Sequence, residues 1–293
     1  MRQDVDPKQQ PTLNRLTANV PPYAWFCVSA VFHYLGPSLA VLLFPAAGVL
    51  GIAWFRIASA ALVFAPLTKP WRTLGQAEPA TRGLLLSLGA CLAAMNTAFY
   101  LALDKLPMSL VAAMEFTATL LVALYGLRTP RNLFAVGLAI AGVWLLIDVR
   151  WATSPVGLFW SAINAALFAV YIILGHRVSQ TGADAGIKRL GAAMFIAFVF
   201  VTPVGAAQAV TIFANPLLVL AGIGVGICSS VIPYVCDQLA MSRIPRASFA
   251  LMLALLPAFA TVIAAIVLAQ IPTSRDLAGV ALVMAGIAMH RPR

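Results

Sequence analysis

Apolar residues run through this chain in long blocks, separated by short clusters of proline, glycine and charge. Ten blocks approach the ~20 apolar residues that a helix needs to cross a bilayer. They cover 23–44, 47–67, 83–104, 108–127, 132–148, 154–176, 187–207, 215–240, 246–269 and 274–290. Proline suits a first helical turn and disrupts an interior, so it should mark block ends. Pro45 is expected to end the first block, Pro66 and Pro70 the second, and Pro130 the fourth; Pro155 and Pro216 should open the sixth and eighth. Residues 1–22 carry Arg2, Lys8 and Arg15 without the apolar core of a cleaved signal peptide, and read as a cytoplasmic tail.

The tightest junction is Asp104 to Pro107, which should join the third and fourth helices. It recurs half a chain later. Residues 100–107, YLALDKLP, lie over 238–245, QLAMSRIP, so Lys105 meets Arg243 and Pro107 meets Pro245. Further on, Ala141 and Gly142 lie over Ala285 and Gly286 once an insertion in the second copy is allowed. Two repeats, 23–150 and 151–293, would hold five helices each. Five is odd, so the second copy would insert upside down, a plan common among secondary transporters. The expected fold class is an all-α membrane protein of ten transmembrane helices in two inverted five-helix repeats.

Composition supports the membrane reading. The chain is 62% hydrophobic and 10% charged, whereas soluble domains are nearer half apolar and a quarter charged. A net charge of +10 would suggest nucleic acid in a soluble protein. Here it follows from the positive-inside rule. With a cytoplasmic N-terminus, fifteen of the nineteen basic residues fall in inner segments and only Lys105, Arg150 and Arg275 in outer ones. Both termini are therefore expected to be cytoplasmic. Cys27, Cys91, Cys228 and Cys236 all lie in apolar runs without a CxxC pair, which argues against a disulfide framework or a metal site, and no cofactor is called for.

On these residues the chain resembles the drug/metabolite transporter superfamily, built from two EamA-type repeats. Residues 95–124, MNTAFYLALDKLPMSLVAAMEFTATLLVAL, are similar to the third and fourth helices of bacterial threonine/homoserine exporters, and Ile232, Pro233, Tyr234 and Val235 to the LPYS run of their eighth. Aromatic amino-acid exporters share the same plan. The resemblance implies a bacterial inner-membrane exporter of amino acids. Its basket would be lined by helices one to four and six to nine, with five and ten peripheral.

Glu115 is the most informative residue. A carboxylate at helix depth costs a few kcal/mol or more, so it faces a cavity or a partner. It is a candidate for the substrate ammonium or for a coupling proton; the structural alternative is an ion pair with Arg56, the one basic residue deep in a helix. Asn96 and Tyr100 share a helix face and suit a zwitterion with an apolar side chain, or else join helices by hydrogen bonds. Ser229, Ser230, Pro233, Tyr234 and Asp237 form a second polar cluster. There Pro233 would strip an upstream carbonyl of its donor, creating a hinge. Asp237 is read first as an interfacial acid neutralised by Arg243 or Arg246. Pro257 is a second kink candidate, in the middle of the ninth helix. Ser29, His33, Tyr34 and Pro37 come from helix one, where His33 is read as a packing element before a titrating group. Trp160, Asn164, Phe168 and Tyr171 make one stripe, either a cavity wall or, for Trp160 and Tyr171, interface anchors. Gly137 with Ala141, and Ala281 with Ala285, are expected to pack the peripheral helices onto their own halves.

Other classes fit less well. Phosphorylated substrates would require several cavity-facing bases, and only Arg56 qualifies; another metabolite, a nucleobase or an organic cation remains the alternative cargo. His33, His176 and His290 are far apart, and neither an HExxH motif nor a carboxylate ring points to an enzyme or an ion channel. Oligomeric state is left open.

Overall fold

The computed structural model describes residues 20–126, 129–146, 154–179, 183–241, 252 and 255–289. Among these residues the chain is helical, without strands. We number the helices α1 Pro22–Ala47, α2 Val49–Thr68, α3 Pro70–Gln76, α4 Pro79–Leu103, α5 Met108–Gly126, α6 Pro130–Leu146, α7 Pro155–Ser179, α8 Ala183–Ile212, α9 Pro216–Gly226, α10 Ile232–Met241, α11 Leu256–Leu268 and α12 Ser274–Met289. A π turn, Ile227–Val231, joins α9 to α10. Among the described residues, six spans are long and apolar enough to cross a membrane: Tyr23–Ala47, Val49–Thr68, Pro79–Leu103, Pro155–Gly175, Ala185–Ile212 and Pro216–Asp237. Large apolar side chains such as Leu62, Leu67, Trp144, Leu217 and Ile266 project outward. Lipid accepts such surface, whereas water would drive it into patches.

Six helices begin with proline, at Pro22, Pro70, Pro79, Pro130, Pro155 and Pro216. The first-turn N–H that proline lacks has no helical partner in any case. Pro45 and Pro66 do not end their helices. Each sits inside the last turn; the helix ends two residues later, and φ turns positive at the next residue, Gly48 (φ 70°) and Lys69 (φ 46°). In the final turn a proline deletes one hydrogen bond without preventing the next residues from coiling. Short α3 was not anticipated.

Packing runs mainly between the two halves of the chain. α2 lies along α8 and α6 along α12; α4 packs on α7 and α8, while α1 packs on α9, the π turn, α10 and α11. The α6–α12 contact is an interlock of backbone. A Cβ at Gly142 would fall 2.6 Å from the Gly279 carbonyl oxygen, and one at Gly286 2.5 Å from that of Ala135. This corrects the sequence expectation. Gly137, Ala141 and Ala281 face outward, and the peripheral helices pack first on each other and only second on α5 and α11 of their own halves. α2 and α8 meet in the same way: Gly51 would touch Gln208 Cβ at 3.2 Å and Gly205 would touch Trp54 Cβ at 2.7 Å.

Two glutamines cap helix N-termini across the halves. Gln208 Oε1 accepts from the Leu50 and Gly51 amides at 3.0 and 3.2 Å, and Gln270 Oε1 accepts from the Met108 amide at 3.3 Å. The first four amides of a helix lack an internal acceptor, and in lipid no water replaces it. Residues 1–19, the junction at 150 and 151, the segment holding Arg243, Pro245 and Arg246, and His290 lie outside the described residues, as do the side chains of His176 and Gln238.

Candidate functional site

Pro233 has no N–H, so the carbonyl of Ser229, four residues upstream, loses its helical donor. The backbone around it widens into the π turn, and the Ser229 carbonyl accepts from Arg56 Nη2 at 3.1 Å instead. Arg56 Nε donates to Ser230 Oγ at 3.1 Å. The guanidinium carbon lies 5.3 Å from the ring centre of Tyr100 and 5.8 Å from that of Phe99, within cation–π range. α1 closes over this point, where a Cβ at Gly36 would strike the Ser229 amide at 2.6 Å. Arg56 is 3% exposed, and its Nη1 finds no hydrogen-bond partner among the described residues. The freed carbonyl near Ser229 and Ser230 was legible in the sequence; its use by Arg56, from another helix, was not.

Glu115 is equally buried, on α5. Asn164 on α7 donates through Nδ2 to Glu115 Oε1 at 3.4 Å, and its own Oδ1 has no hydrogen-bond partner among the described residues. Glu115 lies within electrostatic range of Arg56. The neighbouring stripe faces inward. Phe168 meets Phe116 edge-on at 5.6 Å, and Tyr171 meets Phe168 at 6.0 Å and Tyr234 at 6.2 Å. Tyr171 is thus an interior side chain, and Trp160, one turn away from Asn164, is half-buried against the same core.

Asn96 and Tyr100 descend one face of α4. Asn96 Nδ2 donates to the Leu92 carbonyl at 2.7 Å, and its amide reaches the Tyr234 hydroxyl. The Tyr100 ring packs on Phe44 at 5.6 Å. The hydroxyls of Tyr100, Tyr34 and Ser229 are buried without hydrogen-bond partners among the described residues. Tyr34 was noted in the sequence without being placed in the site. Its signal was the i, i+4, i+8 series Phe26, Ala30 and Tyr34, which forms the buried face of α1.

Arg56, Glu115, Asn164, Asn96, Tyr100 and Tyr234 therefore come together where the two halves meet. Asp237 lies one turn beyond Tyr234 and accepts from Ser29 Oγ at 2.5 Å, while Ser29 also reaches the Pro233 carbonyl at 3.3 Å. This acid is tied to α1, and the partners expected for it, Arg243 and Arg246, lie outside the described residues. His33 is half-buried, edge-on to Tyr34 at 5.2 Å and within range of the Arg56 charge. Pro257 occupies the first turn of α11, and Met252, five residues before it, is also helical; residues 253 and 254 between them lie outside the described residues. No group of metal-ligating side chains occurs among the described residues.

Comparison with known proteins adds three findings. Residues 155–290 match the model of the EamA-like transporter family. The chain is 33% identical over 253 residues to the threonine/homoserine exporter RhtA of Escherichia coli (strain K12), and 32% identical over 253 residues to that of Salmonella typhimurium (strain LT2). Each alignment spans 85% of this chain and 84% of the relative. A protein of solved crystal structure shares the fold at 18% identity, with a TM-score of 0.58, covering 91% of this chain and 96% of that one.

Proposed function

We propose, for a chain that belongs to the drug/metabolite transporter superfamily as an EamA-type exporter, that it carries amino acids of the threonine/homoserine, methionine or aromatic kind out across the bacterial inner membrane. The observation that carries this reading is a basic and an acidic side chain, Arg56 and Glu115, both buried at the junction of the two halves. Charge at membrane depth is expensive and marks a substrate or ion path. A positive and a negative group together complement a zwitterion, the form of a free amino acid at neutral pH. Glu115 receives the substrate ammonium and, in the empty carrier, a coupling proton.

Transport proceeds by alternating rocking of two inverted repeats, 23–150 and 151–293, with ten transmembrane helices and both termini in the cytoplasm. Two contacts support the repeat. Gly142 and Gly286 occupy matching positions, and each meets the residue seven before the other, Gly279 and Ala135. Gly51 meets Gln208, while Gly205 meets Trp54, three after Gly51 as Gln208 is three after Gly205. A contact set that maps onto itself when the halves are exchanged is what a two-fold axis imposes. Asn96 and Tyr234, also matched in the repeat, lie within hydrogen-bond reach of each other.

Counterflow in proteoliposomes tests the reading, using labelled amino acids with and without a pH gradient. The wild type should move at least one of these amino acids saturably. Glu115→Gln should lose about 100-fold in rate, ~2.8 kcal/mol at tenfold per 1.4 kcal/mol, at unchanged thermal stability. Movement of an organic cation or nucleobase and no amino acid would overturn the substrate assignment. Normal transport by a less stable Glu115→Gln would make Glu115 a structural partner.

A further inference from the structure

Resting on the exporter reading, we infer that Arg56 is the receptor for the substrate's α-carboxylate, aimed by the carbonyl that Pro233 releases. A guanidinium has five N–H donors in a flat fork. In Arg56 the Nε edge is taken by Ser230, one Nη2 donor is taken by Ser229, and the rings of Tyr100 and Phe99 lie against the group. Left over is the Nη1 end, which has no hydrogen-bond partner among the described residues although the side chain is 3% exposed. A buried guanidinium with idle donors is costly unless something else uses them. The end formed by Nη1 and Nη2 is the one that takes a carboxylate through two parallel hydrogen bonds.

The surroundings of Arg56 suit that ligand. Acceptors for an ammonium lie on the side of α5 and α7, at Glu115 and the unused Asn164 Oδ1, and the unused hydroxyls of Tyr34 and Tyr100 accommodate either pole. Arg56 also needs holding, because a long side chain that swings loses the fork geometry. Ser229 and Ser230 supply the hold, and the Ser229 carbonyl can do so because residue 233 has no N–H to claim it. Arg56 thereby sets substrate class: free amino acids are accepted, while their amides and decarboxylated amines, which lack the anionic oxygens, are refused.

The test is competition against labelled threonine, or whichever amino acid the wild type moves best, in reconstituted full-length protein. The unlabelled competitors are the same amino acid, its amide and its amino alcohol. Wild type should favour the acid over the amide at least about tenfold, ~1.4 kcal/mol. In Arg56→Gln that preference should shrink to within about threefold, even where the absolute rate falls. Arg56→Lys keeps the charge but not the fork, and should retain an intermediate preference; it carries the test if Arg56→Gln fails to fold. Equal competition by acid and amide in the wild type would overturn the inference and leave the exporter reading standing. So would variants that transport more slowly but keep the full preference, since Arg56 would then serve structure alone. If the wild type moves no amino acid at all, the exporter reading itself fails, and the carboxylate assignment with it.

Discussion

The contact between α6 and α12 and the contact between α2 and the π turn join the same two halves of the chain, yet they are made of opposite materials. In the first, Gly142, Gly279 and Gly286 bring backbone against backbone, with Ala139 and Val283 filling the gaps. In the second, a buried Arg56 meets two serines and an aromatic ring, and hydroxyls beside it are left without hydrogen-bond partners among the described residues. Lipid explains the first. Apolar side chains gain little by leaving lipid for one another, so helix pairs hold by close packing over small residues. Packing does not explain the second, because a hydrophobic pair of the same volume would be cheaper. One contact is dry and close-packed, and the other is kept polar at a cost that packing does not repay.

That contrast can be broken from either side. The largest effect is expected at the dry contact. Gly142→Leu forces a side chain into the Gly279 backbone and should cost about 3 kcal/mol by overpacking, read as loss of monodisperse protein in detergent. Full recovery of folded protein would mean that the α6–α12 seam is not structural. At the polar contact the effect should change sign. Pro233→Ala returns an N–H to the Ser229 carbonyl and removes a helix-breaking ring, so thermal stability should hold or rise while transport falls about tenfold, ~1.4 kcal/mol. A variant that is both less stable and fully active would place Pro233 in the packing instead. The smallest effect sharpens the comparison within one helix. Gly137 lies on α6 five residues before Gly142, but its Cβ position is open. Gly137→Ala should therefore shift stability by less than ~1 kcal/mol, in the favourable direction set by helix propensity. A loss as large as that of Gly142→Leu would reveal a partner on the outer face.

Much of this was legible in one dimension because helix boundaries in a membrane protein are written locally. Long apolar runs, the Asp104–Pro107 turn and the opening prolines placed the helices within a few residues. Glu115 and Arg56 stood out because charge is rare in such runs, and Pro233 announced a free carbonyl through its own chemistry. The misses share a cause. Gly137 and Ala141 were as small as Gly142, and spacing alone does not say which face of a helix meets a neighbour. The bond from Ser29 to Asp237, between residues 208 apart in the chain, was invisible for the same reason.

By itself, then, the sequence determined the class, the helical segments and the few ionisable groups that had to face inward, since burying a run of residues in lipid is a property of that run. Only the tertiary structure decided that Arg56 takes the carbonyl freed by Pro233, that Glu115 is held by Asn164, and that α6 seats on α12. Each of these joins residues far apart in the chain, and the pairing depends on which surfaces meet at close range once the two halves are packed together.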